Sequence, residues 1–312
     1  MSDAEWWSQL RGDPSRFLLS DDEPGVAWRT LVELLGRPGD SPAVTRARLA
    51  ARELGRAAEL LATQSALGYW GSPSRYGGHW TGSAWHIVAL AQLGADAEDA
   101  RAARGAATLI ERLLPHSGGF AVVPERPPSP CFTAELCAAL TRLGFGHHPR
   151  VREAIAWLAE RAGRGQLGSC PDLRHHVEGA CPVAAVAGLR LVGELAPGER
   201  GRLAVLRQAG GDSLAALLGR GSTPERWWRF SHPCLGRTDA LDVAYSLARV
   251  AWPAGEVTAA LARGILVRQD GEGRWWSGRR APFGEDEPHP SRWLTLKALV
   301  VLAAYPPEGE VE

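Results

Sequence analysis

A chain of 312 residues, 45% of them hydrophobic, is long enough to bury a large core in one or two domains. Its 35 basic and 35 acidic residues cancel, which removes any net pull toward nucleic acid or an anionic membrane surface. Five cysteines are an odd set and the N-terminus shows no basic-then-apolar leader, so the sequence predicts a cytoplasmic protein without a disulfide framework.

Taken in chain order, two kinds of helical stretch alternate. The stretches near 24–36, 82–94, 132–144, 182–195, 239–251 and 291–305 are apolar nearly all round, as buried helices are. The last runs from Trp293 to Tyr305, is too short to cross a membrane and contains Lys297. Between them, residues 42–62, 199–218 and 255–267 are one-sided. So are the sets Ala103, Ala106, Ala107, Ile110, Leu113, Leu114 and Val151, Ala154, Ile155, Leu158, Ala162, at helical spacing. Six buried helices and about five amphipathic ones predict an all-α fold with an inner and an outer layer. No Ser/Gly/Pro linker divides residues 1–312, so a single domain is expected.

A seven-residue pattern occurs twice. Gln64-Ser65-Ala66-Leu67-Gly68-Tyr69-Trp70 and Gln269-Asp270-Gly271-Glu272-Gly273-Arg274-Trp275 both read Q-x-x-x-G-x-W. With 36 Gly and 13 Trp in the chain, a given Gln meets that spacing by chance about 0.5% of the time. The copies lie about four units of roughly 51 residues apart, and weaker echoes fall between them at His116–Phe120, Gln166–Cys170 and Arg220-Gly221. The unit is two helices and two loops. The inner helices carry so little polar surface that a closed α/α toroid is favoured over an open stack.

The repeated motif, the period near 50 and the buried helix after each loop resemble the prenyltransferase/squalene-cyclase (squalene oxidase) repeat superfamily. The resemblance covers about residues 20–305. Pro130-Cys131-Phe132-Thr133 and Pro290-Ser291-Arg292-Trp293-Leu294-Thr295-Leu296 are similar to segments of its single-domain bacterial members. It implies an α/α toroid of about six helical hairpins around a central hydrophobic cavity. It also implies a prenyltransferase- or terpene-cyclase-like activity on an isoprenoid, another apolar molecule or a peptide. The alternative is a non-catalytic ligand- or partner-binding toroid that has lost the cyclase acid.

Three sets of residues bear on chemistry. Asp239-Ala240-Leu241-Asp242 stands where cyclases of that superfamily carry D-x-D-D, with Leu241 in place of the acid. Asp239 and Asp242 share a helical face, where they would share a proton as catalytic acids or, more simply, cap a helix. Cys131, Cys170 and Cys181 fall in adjacent repeat loops, with His175 and His176 between the last two, and such residues bind zinc when they converge. Cys234, followed one unit later by His289, resembles the D-x-C…H zinc ligands of prenyltransferase β-subunits, with His232 in place of their Asp. Cys137, inside a helix, reads as core.

The third set is aromatic and charged. Trp80, Trp228 and Trp276 are expected to line a substrate cavity, with Arg75, Arg126 and Arg292 as diphosphate anchors. Trp70 and Trp275 read as packing residues that tie repeats together. Asp21, Asp22 and Glu23, like Glu285, Asp286 and Glu287, offer oxygens for Mg2+, although neither set matches D-D-x-x-D and acidic residues before Pro are ordinary helix starts.

Overall fold

The computed structural model describes residues 5–113, 118–123, 125–171, 176–177, 180–219, 223–284 and 289–307. His175, Glu285, Asp286 and Glu287 lie outside them, as do the echo residues His116, Ser117, Arg220 and Gly221. The described chain is all-α apart from a two-residue antiparallel pairing of β1 (Trp275–Trp276) with β2 (Pro290–Ser291) and an isolated bridge between Val177 and Ala180.

The helices that the sequence marks as apolar are α2 (Pro24–Arg29), α5 (Ser83–Gln92), α7 (Pro130–Leu140), α9 (Pro182–Glu194), α11 (Ala240–Arg249) and α13 (Arg292–Ala304). Every residue of α5 and of α7 is buried, as helices without a polar face must be. Pro at the first position starts α2, α7 and α9, where its missing N–H costs nothing. The one-sided stretches become α3 (Pro42–Ala50), α4 (Arg56–Ala62), α6 (Ala100–Arg112), α8 (Pro149–Gly163), α10 (Ala204–Gly219) and α12 (Glu256–Leu266); a single turn, α1 (Ser15–Leu18), precedes α2. Helix α6 buries Ala102, Gly105, Ala106, Leu109 and Ile110, one stripe at helical spacing.

The apolar helices touch in order: α5 on α7, α7 on α9, α9 on α11, α11 on α13, and α13 on α2. Gly94, just past α5, returns to α2: its carbonyl accepts from Trp28 Nε1 at 2.9 Å, and a Cβ there would sit 2.9 Å from the Gly25 carbonyl. The cycle of contacts therefore ends where it begins.

The repeated motif explains how units are joined. Trp70 is buried with its Nε1 on Leu60 O (3.3 Å) and Thr63 Oγ1 (3.1 Å); Trp275 is buried with its Nε1 on Ile265 O at 2.7 Å. Each thus ties its loop to the helix before it. Gly68 and Gly273 have φ of +86° and +72°, which explains the fixed Gly. Gln64 reaches forward, donating to Arg101 O at 3.0 Å in the next outer helix. Gln269 donates to Gln9 O at 3.1 Å and accepts from Arg11 N at 2.8 Å, at the start of the chain. The backbone N–H of Trp70, Phe120 and Trp275 is held by a hydroxyl of the following inner helix: Ser83, Thr133 and Thr295 respectively. Phe120 thus fills the Trp position in the degenerate unit that begins at His116.

Buried ion pairs stand among the inner helices, and the space left between them is about 30 Å3. Asp242 of α11 binds Arg190 of α9 (2.9 Å) and Lys297 of α13 (3.0 Å). Beyond them Glu33 pairs with Arg29 and with Arg249 (3.3 Å), and Glu194 with Arg142 (2.7 Å).

Candidate metal centre and its cavity

Cys131 is the second residue of α7, Cys181 is the N-cap of α9, and Cys170 lies in the loop between α8 and α9. Because α7 and α9 pack side by side, their N-termini bring the three residues together. The three sulfurs lie within 4.8 Å of one another, and all three residues are buried. A tetrahedral zinc ion with Zn–S of about 2.3 Å spaces its sulfurs about 3.8 Å apart, so small side-chain adjustments would fit this set to the metal. Two helix N-termini favour negative charge at the sulfurs.

The sulfurs divide their protons unequally. Hydrogen bonds from the Cys131 and Cys181 thiols hold Cys170 well below the ordinary thiol range, as the thiolate of the set. The bond to Cys170 pushes Cys131 up, and the bonds to Cys131 and Cys170 push Cys181 up. Ser129 Oγ adds a contact of 3.0 Å to Cys131 Sγ.

Cys131 also belongs to the wall of an open cavity of about 760 Å3. Trp80, Trp85 and Phe132 give that wall its aromatic face. Ring centroids lie 5.3 Å apart for Trp80 and Trp85, and 5.7 Å for Trp85 and Phe132. Trp80 has φ of +59°, a conformation that costs a bulky residue roughly 1–3 kcal/mol and that tends to occur at ligand sites. Arg126 lines the same cavity and Arg237 stacks over the Trp80 ring at 5.5 Å, so cations flank the aromatic face. Glu135, one turn after Cys131, completes the wall. Burial pushes its carboxyl up to about 8 despite Arg190 nearby, and its oxygens accept from Gly236 N at 3.0 and 3.2 Å.

The other predicted residues fall elsewhere. Asp239 caps α11, accepting from Asp242 N at 2.9 Å and Ser231 N at 3.0 Å. Burial and Asp242 raise its carboxyl to about 6, with Arg279 at 3.5 Å opposing them. Burial would raise Asp242 too, but Lys297 and Arg190 hold it well below the usual range. Asp239 thus serves as the cap of α11, and each aspartate also faces cations of its own.

Cys234 is fully buried, donating to Ser231 O at 3.1 Å while its N–H and carbonyl are held by the Gln92 amide. His232 stacks on Trp293 at 4.8 Å with Nε2 on Gln92 O. His289 is exposed beside Asp21, Asp22 and Arg292, so the structure does not gather Cys234, His232 and His289 into a ligand group. His176 likewise stands outside the three-sulfur group. Of the three tryptophans expected on a cavity, Trp80 alone lines this one. Trp228 packs on Phe230 and under Arg268, and Trp276 is exposed with its Nε1 on Asp270. Arg292 is committed to Asp22 (3.0 Å) and Phe17 O, and Glu23 accepts from Arg56 N, which leaves the acidic start of α2 in structural use.

The sequence reading missed Glu135, Trp85 and Phe132. The available signal was position: Phe132 and Glu135 follow Cys131 on one helix, and Trp85 stands in the first turn of the preceding inner helix. No protein-family model matches this sequence, and no curated protein matches it.

Proposed function

We propose that this protein is a metal-dependent transferase or cyclase of the α/α-toroid kind, with zinc at Cys131, Cys170 and Cys181 and an apolar, isoprenoid-like substrate in the adjoining cavity. One observation carries the reading: Cys131 belongs both to the three-sulfur group and to the aromatic wall. The cyclic order of inner-helix contacts supports the toroid. The five unpaired cysteines support a reducing, cytoplasmic setting.

Zinc held by these three cysteines would supply a Lewis acid able to activate a substrate thiol or water. The chain's own residues do the rest. Trp80, Trp85 and Phe132 hold an apolar chain and face any positive charge that develops on it. Arg126, exposed on the cavity wall, meets an anionic leaving group such as diphosphate. Glu135 keeps its proton near neutral pH and can give it up at the cavity wall.

Elemental analysis of the purified, untagged protein by inductively coupled plasma mass spectrometry tests the metal first. Near-stoichiometric zinc that disappears in Cys170→Ser and Cys181→Ser is the expected result. Metal-free wild-type protein with the cavity still binding an apolar ligand would favour the second reading, a non-catalytic binding protein. The commitment of Asp239 and Asp242 to a cap and to ion pairs is the observation on that side.

A further inference from the structure

The charges inside the ring of helices do not balance. Arg29, Arg142, Arg190, Arg249 and Lys297 face Glu33, Glu194 and Asp242, five cations against three anions among the described residues. Tyr245 bridges Arg29 and Glu33 through its hydroxyl, and burial raises its pKa, so it stays neutral. Asp239 is matched by Arg279. Glu135 reaches the same space, yet even its ionisation would leave one cation over.

Arginine cannot shed its charge, and a buried charge without a partner is strongly unfavourable. The excess is not spread evenly either. The small central cavity touches Arg29, Arg142, Arg190 and Lys297 but only one ionised carboxylate, Glu194. One buried nitrogen of the Arg142 guanidinium, Nη2, has no hydrogen-bond partner, although its other terminal nitrogen holds Glu194.

We propose that this cavity binds a small monoanion, of carboxylate size, between Arg142 and the neighbouring cations. Its volume of about 30 Å3 exceeds the roughly 10–15 Å3 that one water needs, which limits the occupant to a few heavy atoms. The site lies among the inner helices, apart from the cavity at the cysteines, and stands whether or not those cysteines bind metal.

Thermal unfolding of the full-length protein tests it. Sodium formate replaces sodium gluconate, whose anion is too large for the cavity, at constant ionic strength. A saturable rise in the unfolding midpoint with formate is expected, and its absence overturns the proposal. Ala138→Asp places a carboxylate on the cavity wall. That variant is expected to show no response to formate. A variant that keeps the wild-type formate response would overturn the proposal.

Discussion

Glu135 departs far from the usual behaviour of a carboxyl. Its carboxyl lies buried on α7, held by Gly236 N–H, and burial outweighs Arg190 to raise it to about 8. A carboxyl raised in the fold contributes stability that is fully present below its unfolded value, near 4.5, and lost as pH rises through about 8. Glu135→Gln keeps an acceptor for Gly236 and removes the titration. The variant is expected to match the wild type near pH 5 and to exceed its stability by a few kcal/mol near pH 9. Urea denaturation across that range checks this, and parallel curves for the two proteins would refute it. Nothing in the sequence marked Glu135, because a lone acid in an apolar run has no visible partner. The pairing of Asp242 with Arg190 and Lys297 was hidden alike, since those partners lie 52 and 55 residues away. The cysteines were legible because each falls at the start of an inner helix or in the loop before one, and the repeat brings those positions to one end.

At the scale of elements, the inner helices begin and end within a few residues of their apolar stretches, except that α2 ends at Arg29 and the stretch to residue 36 goes on in a π-helical turn. The outer layer was less readable. Residues 42–62 form two helices, broken before Gly55, whose φ of +84° and close approach to the Glu23 carboxylate admit no side chain. Glycine inside a helix marks a different demand. Gly211 of α10 lies under Trp252, and a Cβ there would meet the indole at 2.1 Å. Alanine gains about 1 kcal/mol of helix propensity over glycine, but overpacking costs about 1–3 kcal/mol. The Trp252 ring has little freedom to yield, with Arg207 stacked on it and the Trp252 carbonyl bonded to Tyr305 Oη. Gly211→Ala is therefore expected to lower stability by up to about 2 kcal/mol. Gly219→Ala, at the end of the same helix with open space around it, should be neutral or stabilising. Chemical denaturation of the pair separates packing from propensity, and equal effects would refute the packing argument.

For the molecule as a whole, the question is what joins the last unit to the first. Gln64 and Gln269 are the same residue of the same motif, yet one bonds to Arg101 ahead of it and the other to Gln9 and Arg11 at the chain start. The period of the motif was readable from its two copies, but not that the residues before the first repeat serve as the partner of the last. Arg11 returns a second bond, from Nη1 to Gln269 O at 3.1 Å, and Gln9 reaches Pro307 O at 2.9 Å. Gln269→Ala strips Arg11 N–H and Gln9 O of their partner in a largely buried position. A loss of about 1–3 kcal/mol follows from leaving such groups unsatisfied. Gln64→Ala should cost a comparable amount, because it cuts a junction of the same kind. The two differ in what they release. Only Gln269→Ala frees the segment around Arg11, so limited trypsin digestion with mass spectrometry should find faster cleavage after Arg11 in that variant alone. Equal cleavage in both variants would mean that the N-terminal segment is held by its other contacts, and that the motif glutamine does not close the ring.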